Sequence, residues 1–433
     1  MKKIFCAVLI AALAVTCMAQ SGTNSPYSQY GLGQLSDQTS GFNRGMNGLG
    51  IGFHEHNQVN FLNPASYASM DSLTFIFDAG ISGYITNFKE GGKSLNAKNA
   101  NFEYAVAGFK VGKRIGISFG ILPYTNVGYN YSNTETLYDN LYGTKTTTTN
   151  LYSGSGGFHQ VYLGAAWSPF KGFAFGANVS YLWGDYERGI TNSYSDANVN
   201  TLSKRYTAQV NSYKLEFGIQ QTLKLSAKDD VTFGVTYGLG HKLGADPKCE
   251  VVSYNSQTAV SDTTTYTVSN GLAVPTSYGL GFAWNHDNRW KMGADYQLQK
   301  WASVEFPFYS VQNEKSIYQL SDKAFTDRHK LTLGGEYCPN ERGTNLLKRI
   351  RYRAGVSYAT PYLRINGHDG PKEMSVSAGV SVPIINRWNT RSILNVSAQW
   401  VRQDAKNLVT ENTFRLNIGL TFNERWFAKW KVE

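Results

Sequence analysis

The sequence predicts an all-β fold: a 14-stranded antiparallel transmembrane β-barrel with an N-terminal hatch (plug) inside the lumen. Three observations carry this expectation. Apolar and polar residues alternate with period two through one segment of about ten residues after another. The 433 residues include 23 Phe, 28 Tyr and 9 Trp, yet only 17% are charged, against about a quarter in soluble domains. The mean hydropathy is nonetheless −0.34. That value excludes a bundle of membrane helices, each of which needs about 20 consecutive apolar residues.

The chain opens with Lys2-Lys3, an apolar run from Ile4 to Val15, and small residues at Cys17 and Ala19. This reads as a secretory signal peptide over residues 1–19, cleaved before Gln20. Lipidation at Cys17 is the competing reading, with Thr16 a poor residue before a lipidated cysteine. Loss of Lys2 and Lys3 lowers the net charge from +10 to +8. That excess suits anionic lipid headgroups and lipopolysaccharide phosphates. Nucleic acid is not expected, because basic groups such as Lys113-Arg114 and Lys348-Arg349 are turn-sized rather than a stripe. Cys249 and Cys338 remain after cleavage, without metal-ligand spacing, and are expected unpaired in separate connections.

Strands are expected near 73–86, 101–111, 115–131, 156–168, 173–186, 204–224, 230–243, 272–285, 289–302, 325–337, 350–359, 374–383, 391–403 and 412–423. The last illustrates the pattern: Phe414, Leu416, Ile418, Leu420 and Phe422 alternate with Arg415, Asn417, Gly419 and Thr421. Period two sends one set to each face, as a lipid-facing exterior and a wet lumen require. A soluble sandwich alternates too, but fourteen strands in succession without helices favour a barrel. Connection lengths agree. One set is short, as at Gly112–Arg114, 169–172 and 225–229, with Cys338–Arg349 of middling length. The other set is long and hydrophilic, at 132–155, 186–203 and 244–271. Outer-membrane barrels show this asymmetry, with the short turns periplasmic. The barrel domain is thus 73–423, and 424–433 a short periplasmic tail.

Residues 20–72 break the pattern. Seven glycines between Gly31 and Gly52 alternate with Leu49, Ile51, Phe53, Phe61 and Leu62, an apolar content that suits an internal plug better than a solvated tail.

Within that segment, Arg44-Gly45-Met46-Asn47-Gly48 and Asn60-Phe61-Leu62-Asn63-Pro64-Ala65-Ser66 resemble the hatch of the FadL/TodX family of outer-membrane transporters. Trp290–Tyr296, Leu333–Tyr337 and Arg353–Tyr358 are similar in order, and Ser25–Gly31 resembles its Bacteroidota branch. The resemblance implies a hatch motif of Arg44, Gly45, Gly48, Asn63, Pro64 and Ala65. It also implies uptake of long-chain fatty acids or other hydrophobic compounds, with lateral release through a break in the third strand. Leu122-Pro123-Tyr124 is the candidate opening, since proline removes a ladder hydrogen bond; a simple bulge is the alternative.

Alternation places Lys214, Glu216, Lys291, Asp295, Lys330, Glu336, Arg351, Arg353 and Arg415 toward the lumen. Such mixed charge suits a salt-bridged wall holding the hatch at least as well as a fatty-acid cavity. The leading expectation is therefore a FadL-like channel. The alternative is a non-transporting barrel subunit of an outer-membrane protein assembly or secretion complex. No enzyme, metal or cofactor is expected. His54-Glu55-His56 lacks a third ligand. His159 near Ser153 and Ser155 lacks nucleophile-elbow spacing and an orienting partner, and Gly48–Gly52 is not a phosphate loop.

Overall fold

Period-two alternation is resolved by closing the sheet on itself. The computed structural model describes residues 22–138, 145–341, 343, 345–385 and 391–425. Its barrel strands are β1 (Thr74–Glu90), β2 (Lys93–Val111), β3 (Ile115–Tyr138), β4 (Lys145–Trp167), β5 (Phe173–Tyr194), β6 (Thr201–Lys224) and β7 (Asp229–Gly238). They continue as β8 (Ser277–His286), β9 (Trp290–Gln299), β10 (Arg328–Tyr337), β11 (Arg351–Ala359), β12 (Lys372–Ile385), β13 (Arg391–Asp404) and β14 (Thr410–Arg425). Neighbours in sequence pair antiparallel. β14 returns to pair with β1 from Thr74↔Arg425 to Lys89↔Thr410, closing the barrel.

Large apolar side chains crowd the outer surface at alternate positions. Leu163 is 61% exposed, Val179 57% and Leu280 56%, a pattern that only a hydrocarbon solvent makes favourable. The intervening residues turn inward and are buried. β11 shows this most plainly, alternating buried and exposed along its whole length.

Several strands outrun the expected ten residues. β3 and β6 have 24 residues each, roughly 80 Å of chain at 3.3 Å per residue, whereas a membrane crossing needs about ten. The wall therefore continues beyond the bilayer. Segments 132–155 and 186–203, which read as loops, are largely ladder. Thr146, Thr147, Thr148 and Thr149 pair with Leu137, Thr136, Glu135 and Thr134, because β-branched threonine suits a pleated sheet even where the sequence looks hydrophilic. Segment 244–271 likewise contains a hairpin, Lys248–Asn255 with Val260–Thr267, and its first strand extends the sheet beside β6. Between β1 and β2 the chain reverses at Gly91-Gly92, both with positive φ, in the two-residue turn that hairpin twist favours.

The N-terminal residues 22–70 supply no barrel strand. They form a 3₁₀ turn (Pro26–Gln29), a two-residue strand (Gln34–Leu35), a helical turn (Gly41–Arg44) and a second 3₁₀ turn (Pro64–Ser69). Phe42, Leu49, Val59, Ala65 and Tyr67 are fully buried. Residues 1–21, with the expected signal peptide, and residues 426–433 lie outside the described residues.

Three apolar clusters occupy the interior. The one at the long-loop end joins Tyr27 and Leu32 to Phe158, Tyr186, Trp301, Phe325 and Leu363. A second joins Phe61, Tyr67 and Met70 to Tyr104 and Tyr162. The third holds Phe42, Met46, Leu49 and Phe53.

Candidate functional site

The N-terminal segment meets the wall through three kinds of contact, and the first is close approach to glycine. A Cβ on Gly234 would strike the Ile51 carbonyl, and one on Gly176 would lie 2.6 Å from the Pro64 carbonyl group. One on Gly355 would overlap Met46. These glycines face inward and give backbone-to-backbone packing that no side chain permits.

The second is a set of hydrogen bonds, several of them to otherwise orphaned backbone groups. Asp295 accepts from the N–H groups of Gly50 (2.6 Å) and Ile51 (2.8 Å). Asn63 caps the Pro64–Ser69 turn by accepting from Ala65 N at 3.1 Å, and its amide donates to the carbonyls of Ile51 and Ile219. Asn47 donates to Ser357 Oγ at 2.7 Å and accepts from Gln399 Nε2 at 2.8 Å.

The third is charge. Arg44 pairs with Glu103 at 2.7 Å and donates to Asn417 at 3.2 Å. Gly45 packs against the Arg353 side chain, and Gly48 turns the chain at φ 88°. Asp37 lies 3.0 Å from Arg415 and 3.8 Å from Lys330. Burial alone would raise the Asp37 carboxyl, but Lys330 and Arg415 outweigh it and hold it well below the ordinary carboxylate range. Glu336 binds Arg351 (2.5 Å) and Arg353 (2.7 Å), while Lys291 bridges Glu55 to Glu336. Glu55 is likewise held down by Lys291 against the upward push of its burial. Lys214 and Glu216 stand apart, paired with each other at 2.6 Å. Seven of the nine charges read as lumenal thus fall into contacts with the N-terminal segment or its immediate partners, and only Lys214 and Glu216 do not.

Sequence reasoning missed Asp37, Glu55 and Glu103, whose partners lie far away in the chain, and the inward glycines. The glycines had a signal: they fall on the polar face of the alternation. His56 pairs with Asp71 at 2.8 Å, and no group of three or more His, Cys, Asp or Glu among the described residues could hold a metal. Cys249 and Cys338 are free and buried.

The wall itself has a seam. β2 and β3 pair only from Val111↔Ile115 to Ala105↔Ile121. At Pro123 the register of β3 against β4 shifts, skipping Tyr124, while Leu122 is buried. Beyond this point Gln34 and Leu35 take the edge of β3, pairing with Asn126 and Thr125. Gln38 donates to the Pro123 carbonyl at 2.8 Å. On the other side of the seam, Asn101 donates to the Gly22 carbonyl at 2.7 Å and Asn24 to the Lys98 carbonyl at 3.3 Å.

Comparison with known proteins follows the same lines. A family model described as BamG matches residues 1–433, and no curated protein matches. The CymD monoaromatic hydrocarbon channel superposes with a TM-score of 0.57 at 16% identity, covering 92% of this chain and 100% of that one. The Ralstonia pickettii toluene transporter TbuX gives 0.60 at 16%, covering 90% and 99%. A Pseudomonas aeruginosa FadL homologue gives 0.59 at 12%, covering 91% and 99%. At these identities the likeness is one of fold.

Proposed function

The chain belongs to the BamG family, and from that membership and a densely filled lumen we propose that it is a non-transporting barrel subunit of an outer-membrane protein assembly complex. A leader over residues 1–19 delivers it to the outer membrane, where the apolar belt contacts lipid and lipopolysaccharide. Residues 20–72 act as a hatch fixed in place.

The observation that carries this reading is the way the interior is occupied. A fatty acid needs a continuous apolar slot with one cation for its carboxylate. Here the long-loop end is filled by a cluster of buried side chains from the hatch, the wall and the outer loops. Beneath it the hatch is tied to the wall by the Arg44–Glu103 and Glu55–Lys291 pairs, whose side chains are largely inaccessible. Removing such a segment would strand buried ions, a cost of several kcal/mol per broken pair. A cavity of about 380 Å³ lies at the short-turn end, but His54, Glu55, Asp230 and Lys291 line it.

Affinity purification of the tagged chain from mildly solubilised native envelopes tests this reading. Stoichiometric recovery of other outer-membrane proteins is expected; recovery of the monomer alone would overturn it.

The FadL-like channel, taking up hydrophobic compounds such as long-chain fatty acids and releasing them sideways, is the second reading. The interrupted β2–β3 ladder at Pro123 favours it. Uptake of labelled fatty acid that falls on deletion of the gene, and returns with the intact chain but not with a stapled hatch, would establish it over the first.

A further inference from the structure

Twelve residues of β2, from Lys93 to Tyr104, lie outward of the β2–β3 ladder, and all but Glu103 pair with β1 on their other side. Across the seam β3 runs on to Tyr138, and among the described residues only Gln34 and Leu35 form a ladder with that edge. Two strand edges therefore face one another over a stretch longer than the hatch covers. Unpaired strand edges are templates for another extended chain.

Three details define what fits. The width is that of one polypeptide: Gly22 accepts from Asn101 on β2, while a Cβ on Gly22 would lie 2.7 Å from the Asn126 carboxamide carbon on β3. The lumenal cavity behind the gap is polar, with Gln34, Ser36, Asn101, Glu103 and Asn126 on its gap side, and is ill-matched to an acyl chain. The charge is biased, since Lys89, Lys93 and Lys98 are all exposed along the β1–β2 hairpin against one exposed acid, Glu90.

We propose that the outward part of the β2–β3 seam is a strand-acceptor site for an extended, acidic segment of a partner protein, held by backbone hydrogen bonds. The inference rests on the subunit reading and gives that subunit a docking edge. The backbone polarity is already set for it. The Lys98 carbonyl accepts from Asn24 on the seam side, and a residue in an antiparallel strand points its N–H the same way as its C=O. Ala100 directs its N–H to the Asn99 side chain at 2.8 Å, outside the β1–β2 ladder.

A photo-crosslinking residue placed at Lys98 or Asn130 of the full chain, in native envelopes, tests the site, with lipid-facing Tyr213 as the control position. Protein adducts at 98 and 130 but not at 213 are expected. In parallel, Lys98→Pro removes one edge donor while sparing the β1 ladder, a position where proline is tolerated. It should lower co-purified partner about tenfold with the barrel still heat-modifiable. Normal partner recovery with no protein adducts at 98 and 130 overturns the strand-acceptor site and leaves the subunit reading standing. Monomer alone in the purification removes that reading and the site with it. Lipid adducts alone at both positions overturn the site in favour of lateral lipid passage.

Discussion

Glu336 on β10 is clasped by two arginines of β11, with Arg351 donating to one carboxylate oxygen at 2.5 Å and Arg353 Nε to the other at 2.7 Å. Residues 351 and 353 share a face because strand side chains alternate, so both cations reach one carboxylate across the ladder. Side-chain exposure is 2% for Glu336, 9% for Arg351 and 1% for Arg353. Glu336→Gln leaves the arginines short of a counter-charge in a poorly solvated place, and should destabilise the folded barrel by about 3–5 kcal/mol. Thermal unfolding in detergent measures this. Adding Arg353→Met to the variant should recover part of the loss, because the uncompensated charge is then removed.

The inward glycines make a separate prediction. Gly234→Val places a side chain where the Ile51 carbonyl lies, and the barrel ladder at 234, paired with Gln220 and Gly281, tolerates a β-branched residue. The N-terminal segment, not the barrel, should yield. Limited proteolysis should then cut between residues 44 and 66 while heat-modifiability persists. A variant whose N-terminal segment stays resistant would show that the wall, and not that segment, gives way.

These contacts mark what was legible in the sequence. The strand count, the antiparallel closure and the asymmetry of the two ends follow from a local signal: period two within strands and turn chemistry between them. The inward direction of Asp295, Glu336 and Arg353 follows from the same alternation. Pairing does not. Asp37 is 378 residues from Arg415, and no local pattern announces that they meet. The threonine runs misled for the opposite reason, since hydrophilic composition suggested loops where cross-strand pairing builds sheet. Pro123 was visible as an interruption, but the occupation of the seam by Gln34 and Leu35 depends on a tertiary path that periodicity does not encode.

Asp295 gives a more local test. Its carboxylate receives two adjacent backbone donors, Gly50 and Ile51, as a paired charge-assisted contact. Asp295→Ala leaves both N–H groups buried without that acceptor, at about 3 kcal/mol in total. Hydrogen exchange should lose protection at Gly50 and Ile51 by about a hundredfold, with the β8–β9 ladder unchanged. Equal loss across β8 and β9 would instead make Asp295 a residue of the wall alone.

The end of the N-terminal segment carries a pH dependence whose sign follows from one pair. His56 lies 2.8 Å from Asp71, and the Asp71 N–H donates to the His56 carbonyl at 2.8 Å, so the pair fastens the last turn before β1. The hydrogen bond to Asp71 raises the imidazole above its ordinary value, and burial opposes this only partly. A raised value in the folded state means the contribution is complete below the unfolded pKa of about 6.5. It is then lost as pH rises through the folded value. Both side chains are more than a third exposed, so solvent screening keeps the effect small. Protease access to residues 56–72 should therefore increase modestly as pH is raised from about 6 to 9. His56→Ala should abolish that slope and give high-pH behaviour throughout. An unchanged slope in the variant would assign the dependence to another group.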